Sequence, residues 1–217
     1  MVFHVYNRGN RKARLFFTPA DYDAFLRVVV EASSRVNMRI LAIELMPNHW
    51  HLVLWPRADG DLSKFVGWIS LTHACRWQRV HETRGTGPVY QGRFKALPVQ
   101  SDDSLINVLR YVEQNAPRAG LVKRAEDWPW SSACIDPHPD FPAIAKWPIP
   151  RPPNWLGILN SPENPNDLIT LRRCVVNSTP YGSEEWRKET VARLGWTRGL
   201  RPVGRPRRSD MRTDGQS

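Results

Sequence analysis

Cysteine is scarce in this 217-residue chain. Its three cysteines, Cys75, Cys134 and Cys174, are far apart and odd in number, and none belongs to a Cys-x-x-Cys pair. This spacing argues against a disulfide framework and against a thiolate zinc site, because both need paired or clustered cysteines. The chain is therefore expected to fold around a hydrophobic core, for which its 41% of hydrophobic residues suffices.

Long apolar runs are also missing. No stretch approaches the roughly 20 apolar residues that a helix needs to span a bilayer. The N-terminus lacks the apolar segment of a signal peptide. Together with the unpaired cysteines, these absences predict a cytoplasmic protein in a reducing setting, with no membrane partner.

Acidic residues are outnumbered by basic ones. The chain has 31 Lys and Arg against 21 Asp and Glu, which gives a formal net charge of +10. Such a surplus suits a polyanionic partner, because neutralising phosphates releases counterions and drives association. A basic protein with no nucleic-acid partner has the same composition, so the charge alone leaves both interpretations open.

Hydrophobic periodicity predicts an α+β fold. The predicted strands cover residues 2–6, 39–45 and 49–55, and a further strand or hairpin lies within 89–99. Three helices are predicted. The first begins at Pro19 after the N-cap Thr18, and the second covers about 62–80. The third runs from 101 to about 115 and is stopped by Pro117. This order predicts a ferredoxin-like sandwich with an antiparallel sheet and helices on its faces.

The composition changes after Trp130. Residues 134–165 are dense in Pro and Trp with little periodicity, and 183–194 resemble a short capped helix. The residues from 198 onward are too polar to be buried. The predicted divisions are a first domain over 1–133, an irregular extension with a short C-terminal helix over 134–197, and a disordered basic tail over 198–217.

The triplet His49-Trp50-His51 is the most informative local pattern. Side chains alternate along a strand, so His49 and His51 project from one face while Trp50, Leu52 and Leu54 project from the packed one. Two imidazoles so placed can chelate one divalent ion. They can equally be two histidines on a solvated strand face, and the triplet alone does not decide.

Tyr111 and Asn115 form a second pattern, because residues four apart lie one turn apart on a helix. A phenol and a carboxamide on one helical face can point at the same phosphate and metal. The alternative is a half-buried helical tyrosine followed by an asparagine at a helix C-cap.

Five other polar residues are interpreted as structural or surface residues without a direct role in the site. His73 lies in an apolar helical stripe and is interpreted as a core or supporting residue. His4, His81 and His138 have no spacing to a partner and are interpreted as ordinary histidines. Glu44, near the end of its strand, is interpreted as a surface carboxylate rather than a metal neighbour.

Two groups of basic residues are candidates for DNA contacts. Arg8, Arg11, Arg93 and Lys95 lie on predicted turns and a hairpin, where they can grip backbone phosphates or remain solvated. The second group, Arg205, Arg207 and Arg208, follows an AT-hook-like Gly-Arg-Pro sequence. A generic polybasic tail explains the second group equally well.

A family resemblance joins these patterns. Met46-Pro47-Asn48-His49-Trp50-His51 resembles the HUH motif of single-tyrosine transposases, in which a bulky hydrophobe separates two histidines. Segments that resemble the subgroup of REP-associated tyrosine transposases occur at 7–10, 91–95, 110–122, 128–132, 180–183 and 204–206.

The resemblance implies a function and a site. By it, His49, His51 and Asn115 hold Mg²⁺ or Mn²⁺, and Tyr111 is the nucleophile that cuts single-stranded DNA beside a hairpin. The first domain is then an HUH transposase catalytic domain, which leaves a 5′-phosphotyrosine and can rejoin strands. The expected setting is the bacterial cytoplasm near the nucleoid, with hairpin or single-stranded DNA as partner and a monomer or homodimer as the assembly.

Two alternatives remain open at the level of sequence. The chain can be a domesticated protein that binds palindromic repeats without cutting them. It can also be a metal-dependent nuclease that uses water, in which Tyr111 only positions the substrate.

Overall fold

Four antiparallel strands form the centre of the computed structural model, which describes residues 1–196. The strands are β1 (Val2–Arg8), β2 (Arg39–Met46), β3 (His49–Trp55) and β4 (Lys95–Val99). They are ordered β2-β3-β1-β4 in one sheet, and every neighbouring pair is antiparallel. This is the strand order of a ferredoxin-like sandwich, so the predicted fold class is confirmed.

Seven helices surround the sheet in the described part of the chain. They are α1 (Pro19–Arg35), α2 (Asp61–Val80), α3 (Asp103–Glu113), α4 (Asn115–Arg118), α5 (Trp155–Leu159), α6 (Pro165–Asn177) and α7 (Glu184–Arg193). Helices α1 and α2 pack together on one face, over Trp50, Leu52 and Leu54. Helix α3 packs on the other face, over Val53 and Leu97, where α5 and α6 join it. The sheet is therefore covered on both sides.

Helix α1 begins where its local sequence predicts. Thr18 is the N-cap, Pro19 is the first helical residue, and the Asp21 carboxylate accepts from the backbone N–H groups of Phe17 and Thr18. These contacts satisfy amides that have no partner within the helix.

The helix that carries Tyr111 is shorter than predicted. Helix α3 ends at Glu113, and Asn115 begins the separate short helix α4, which contains Pro117. Pro117 has no N–H to donate to the Glu113 carbonyl four residues earlier, so the ladder of hydrogen bonds breaks at Gln114. The proline therefore interrupts the helix and does not stop it.

Residues 89–99 form a strand only in their second half. Strand β4 begins at Lys95, and the preceding residues contact the end of β1 through backbone hydrogen bonds of Gln91 with Arg8 and of Asn10 with Val89. No hairpin forms here, because the first half of the segment pairs with the turn after β1 instead of with the second half.

The C-terminal extension contains more helix than predicted. The capped helix expected near 183–194 is present as α7, with the Ser183 hydroxyl accepting from the Trp186 N–H. Helix α6, in contrast, was not predicted. It has an Asn164 N-cap and a proline at its first position, but its apolar stripe of Leu171, Cys174 and Val175 is short.

The basic tail, including Arg205, Arg207 and Arg208, lies outside the described residues. Across residues 1–196, no helix has the length and apolar character needed to cross a membrane.

Candidate active site

The two histidines of β3 lie on one face of the sheet, as predicted. The ring centroids of His49 and His51 are 5.0 Å apart. Trp50 between them is fully buried on the opposite face, in the core beneath α1 and α2. The alternation of the strand therefore produces the pairing, and the predicted solvated alternative is wrong for His51, which is only 4% exposed.

Both histidines use the same ring nitrogen to contact the protein. His51 Nδ1 lies 2.8 Å from His4 Nε2, and His49 Nδ1 lies 2.7 Å from Asn48 Oδ1. Burial lowers the pKa of His49 to about 4 and lowers that of His51 as well. Both rings are therefore neutral near pH 7, and neither Nε2 has a hydrogen-bond partner within residues 1–196. This is the donor set that a divalent cation needs from histidine.

His4 is not the ordinary histidine that the sequence indicated. It is fully buried on β1, the strand next to β3, and its ring stacks on His51 with centroids 5.0 Å apart. Burial lowers its pKa to about 3, so it is neutral. The strand period places His4 and Tyr6 on one face, but only the pairing of β1 with β3 brings that face to His51.

Tyr111 approaches the histidines from α3. Its ring centroid is 6.1 Å from that of His51 and 6.0 Å from that of His4. Burial raises the pKa of Tyr111, while the positive charges of Arg118 and Arg172 act to lower it. Tyr111 is 9% exposed, so the phenol lies at the edge of the core beside the histidine pair.

Arg118 connects Tyr111 with Asn115. Its guanidinium lies 4.8 Å from the centroid of the Tyr111 ring, and it donates to the Tyr111 carbonyl. The same group lies 3.5 Å from Asn115 Oδ1 and forms an ion pair with Glu163 at 3.0 Å. Arg118 belongs to the segment that resembles the transposases, but its contact with Tyr111 depends on the break between α3 and α4.

Asn115 does not project freely towards the histidines. Its Nδ2 donates to the backbone carbonyls of Tyr111 and Val112, so the carboxamide lies against the last turn of α3. Within residues 1–196, no three His, Cys, Asp or Glu side chains form a cluster that could hold a metal. The predicted ligand set therefore depends on the amide oxygen of Asn115, and that role stays a prediction.

Glu44 is fully buried, so its interpretation as a surface carboxylate is wrong. It lies directly opposite His51 on β2, and its Oε1 accepts from the Ala116 N–H at 3.0 Å. Burial raises its pKa well above the ordinary value. A second buried carboxyl, Glu113, accepts from the Ser132 hydroxyl and the Trp155 indole N–H. These contacts fix the end of α3 against β2 and the extension.

The four predicted basic residues of the first domain occupy one region around the ends of β1 and β4. Arg8 lies opposite His49 in the β1–β3 register, and its charge contributes to the lowered pKa of that histidine. Arg11 is exposed in the turn after β1, and Arg93 and Lys95 are exposed before and at the start of β4. Together they form a positively charged border beside the histidine pair.

His73 is a core residue, as interpreted from its helical stripe. Its Nδ1 lies 2.6 Å from the Tyr90 hydroxyl, which also accepts from the Trp50 indole N–H. The three side chains connect α2, the segment before β4 and β3, on the face of the sheet away from Tyr111.

A ferredoxin-like sheet with a His-x-His pair on one face and a helical tyrosine over that face is the arrangement expected of an HUH-type tyrosine transposase. Residues 1–115, more than half of the chain, match the family described as IS200-like transposases. The chain belongs to this family. The predicted class of enzyme is therefore confirmed at the level of the family.

Two bacterial proteins that resemble this chain are described as REP-associated tyrosine transposases, one of them as putative. A REP-associated tyrosine transposase of Escherichia coli K12 is 25% identical over 134 residues, which cover 60% of this chain and 74% of the relative. A putative REP-associated tyrosine transposase of Haemophilus influenzae is 27% identical over 100 residues, which cover 42% of this chain and 57% of that relative.

A solved structure described as a REP-associated tyrosine transposase bound to a REP hairpin has the same fold. It aligns with a TM-score of 0.50 and 21% identity, over 60% of this chain and 74% of the solved one.

Proposed function

We propose that this protein cuts and rejoins single-stranded DNA at hairpin-forming repeats through Tyr111, assisted by Mg²⁺ or Mn²⁺. The observation that carries the proposal is the position of the Tyr111 ring, 6.1 Å from the ring of His51 and on the same side of the sheet. The proposed nucleophile and two proposed metal ligands, which come from distant parts of the chain, thus lie at one place.

The residues available for a cation supply two imidazole nitrogens and one amide oxygen, and phosphate oxygens of the DNA would add the oxygen ligands that Mg²⁺ and Mn²⁺ prefer. The free Nε2 atoms of His49 and His51 and the amide oxygen of Asn115 would hold the cation, which is a set of nitrogen and oxygen donors without sulfur. When bound, such an ion polarises the scissile phosphate and stabilises the leaving oxygen.

Tyr111 supplies the attacking atom. Its Oη forms a bond to phosphorus while the bond from phosphorus to the 3′ oxygen breaks, which leaves a 5′-phosphotyrosine and a free 3′-OH. Because burial raises the pKa of Tyr111, the phenol is protonated before the reaction and must lose its proton during attack. The departing 3′ oxygen gains one proton to become the 3′-OH, so the step neither releases nor consumes protons overall. Arg118 and Arg172 favour the phenolate electrostatically. A second 3′-OH can reverse the step and join strands, because the tyrosyl ester keeps the bond energy.

The proposed substrate is DNA that folds into hairpins. The net charge of +10 and the positive border of Arg8, Arg11, Arg93 and Lys95 support binding to a phosphate backbone. The descriptions of the E. coli relative and of the solved structure with a REP hairpin support a repeat hairpin as the ligand. We propose that the protein acts at the bacterial nucleoid, as a monomer or a homodimer.

The experiment that tests this proposal is a trap for the covalent intermediate. The wild-type protein is incubated with Mn²⁺ and a labelled hairpin oligonucleotide, and a denaturant-resistant adduct is expected. The variant Tyr111→Phe should form none, because phenylalanine has no atom that can attack phosphorus. Tyr6→Phe is the matched control, because the Tyr6 ring lies 5.7 Å from that of His51 but its hydroxyl donates to the Val175 carbonyl.

The outcomes separate the three candidate functions. An adduct that maps to Tyr111 supports the transposase. An adduct on Tyr6 contradicts the assigned nucleophile, and cleavage without any adduct supports the water-using nuclease. Binding without cleavage supports the domesticated DNA-binding protein. In the same assay, His49→Ala or His51→Ala should abolish cleavage and spare most binding, whereas full cleavage in excess EDTA contradicts the role of the metal.

A further inference from the structure

His4 is a buried polar side chain that the proposed chemistry does not yet use. It is fully buried, and its Nε2 lies 2.8 Å from Nδ1 of His51. Its other ring nitrogen, Nδ1, has no hydrogen-bond partner among the residues that the structure describes. A buried ring nitrogen without a partner costs stability, so its presence beside a proposed ligand calls for a reason.

The contact between the two rings determines which nitrogen of His51 is free. In a hydrogen bond between two neutral imidazoles, one nitrogen carries the proton and the other accepts it. If His51 Nδ1 donates, the lone pair of His51 lies on Nε2, where a cation can bind. If His4 donates instead, the proton of His51 lies on Nε2, and that ring cannot bind a cation through Nε2.

We propose that His4 is a positioning residue that accepts the Nδ1 proton of His51 and so presents the Nε2 lone pair of His51 to a divalent cation. The inference rests on the proposed function, because it assigns His4 a role towards the metal named there. In this tautomer the unpaired nitrogen of His4 is an Nδ1–H group.

The neighbouring histidine has an equivalent arrangement. His49 Nδ1 lies 2.7 Å from Asn48 Oδ1, and an amide oxygen can only accept, so His49 donates and keeps its own Nε2 free. With His4 as an acceptor, both histidines of the pair have the same tautomer. Each is then oriented by a partner behind it, as is usual for metal-binding histidines.

Packing holds the His4 ring in this position. It stacks on His51 at an interplanar angle of 29°, contacts Tyr6 at 5.7 Å between centroids, and meets the Tyr111 ring edge-on at 6.0 Å. A ring enclosed on these sides has little freedom to turn its Nε2 away from His51.

The test uses two readouts besides activity. Ring nitrogen shifts from long-range proton–nitrogen NMR spectra of metal-free, ¹⁵N-histidine-labelled protein report the tautomers of His49 and His51. Titration with Mn²⁺ followed by electron paramagnetic resonance reports the affinity for the cation. The variants are His4→Phe, which keeps a ring without an acceptor, and His4→Gln, which keeps an acceptor. His73→Phe is the control, because it replaces a buried histidine on the opposite face.

The expected result has four parts. Wild-type His51 should be protonated at Nδ1. His4→Phe should bind Mn²⁺ about 10–100-fold more weakly than wild type, the range found when such supporting partners are lost. His4→Gln should retain most of the affinity, and His73→Phe should bind as wild type does.

Two results would overturn the inference: a His51 ring protonated at Nε2 in the wild type, or an unchanged Mn²⁺ affinity in folded His4→Phe. If His4→Phe does not fold, the wild-type tautomer still decides, and a large loss of Mn²⁺ affinity in folded His4→Gln would contradict an acceptor role. If the wild type binds no Mn²⁺ while His51 is protonated at Nδ1, the metal-assisted function fails and the assignment of His4 as acceptor stands.

Discussion

Single buried polar side chains determine the local geometry around Tyr111. His4 and Glu44 are fully buried, and Glu113 is 2% exposed. A buried polar group destabilises the fold unless it forms hydrogen bonds. Four of the six polar atoms of these side chains have a partner on another part of the chain, whereas His4 Nδ1 and Glu44 Oε2 have none among residues 1–196. These side chains therefore position the backbone of α3, α4 and β2 relative to one another.

Glu44 allows a test of this role. In Glu44→Ala the Ala116 N–H loses its acceptor, so we expect the free energy of unfolding to fall by about 1–3 kcal/mol. Glu44→Gln keeps an oxygen at the same place and resembles the protonated carboxyl, so it should cost less than about 1 kcal/mol. Urea denaturation of both variants measures the difference. Equal losses would mean that the charge of Glu44, and not its hydrogen bond, stabilises the fold.

At the scale of elements, one buried hydroxyl group connects the segment before β4 to the core, in addition to its backbone hydrogen bonds with the end of β1. Tyr90 joins His73 of α2 to Trp50 of β3, and the same segment carries Arg93 to the positive border. The position of Arg93, a proposed DNA-contacting residue, thus depends on the contacts of Tyr90 in the core, on the face of the sheet away from Tyr111.

Removing that hydroxyl should have a measurable effect. Tyr90→Phe leaves the Trp50 N–H and His73 Nδ1 without a partner, and we expect a loss of about 1–3 kcal/mol in the free energy of unfolding. Tyr181→Phe is the control, since its buried hydroxyl makes only a 3.4 Å contact with Asn107. The affinity for a hairpin oligonucleotide should also fall in Tyr90→Phe. A loss no larger than that of Tyr181→Phe would contradict the structural role of Tyr90.

For the whole molecule, burial of histidine makes stability depend on pH. Burial lowers the pKa of His4 and His73 to about 3 and that of His49 to about 4, and it lowers the pKa of His51 as well. Below the unfolded value of 6.5, the unfolded chain binds protons that the folded chain excludes. The contribution of the four buried histidines to the free energy of unfolding is therefore complete above pH 6.5 and is lost as the pH falls.

The buried carboxyls Glu44 and Glu113 act in the opposite direction. Their raised pKa values make the folded chain hold protons that the unfolded chain releases, so they stabilise the fold at low pH. Acidification destabilises the fold through four histidines and stabilises it through only two carboxyls, so the net effect is a loss of stability. We expect the free energy of unfolding, measured with urea in EDTA, to fall by about 1–3 kcal/mol per pH unit between pH 6.5 and 5. A constant or rising value would show that these groups are not buried in this way.

The basic tail is expected to affect binding and not folding. Residues 198–217 contain six Arg and two Asp and lie outside the described part of the chain. Deleting them should weaken binding to hairpin DNA and flatten its dependence on salt, because fewer counterions are released. The melting temperature should change little. An unchanged affinity and salt slope would exclude this role.

Features that depend on neighbours in the sequence were predictable from it. The capping of α1 by Thr18, the strand that places His49 and His51 on one face, and the helix after Ser183 all follow from local periodicity and cap signals. The order of these elements also predicted the ferredoxin-like sheet. The family follows from motifs that are themselves local.

Only the tertiary structure decided which distant residues meet. The burial of Glu44, the contact of His4 with His51 and the position of Arg118 over Tyr111 all join parts of the chain that no local pattern connects. Strand register and helix packing are long-range, and a strand's own sequence does not say which partner its polar face will meet. The sequence alone therefore predicted the family and most elements of the sheet and its flanking helices, but not α6 or the break between α3 and α4. The packing of α3 against β2 and β3 determined the environment of Tyr111.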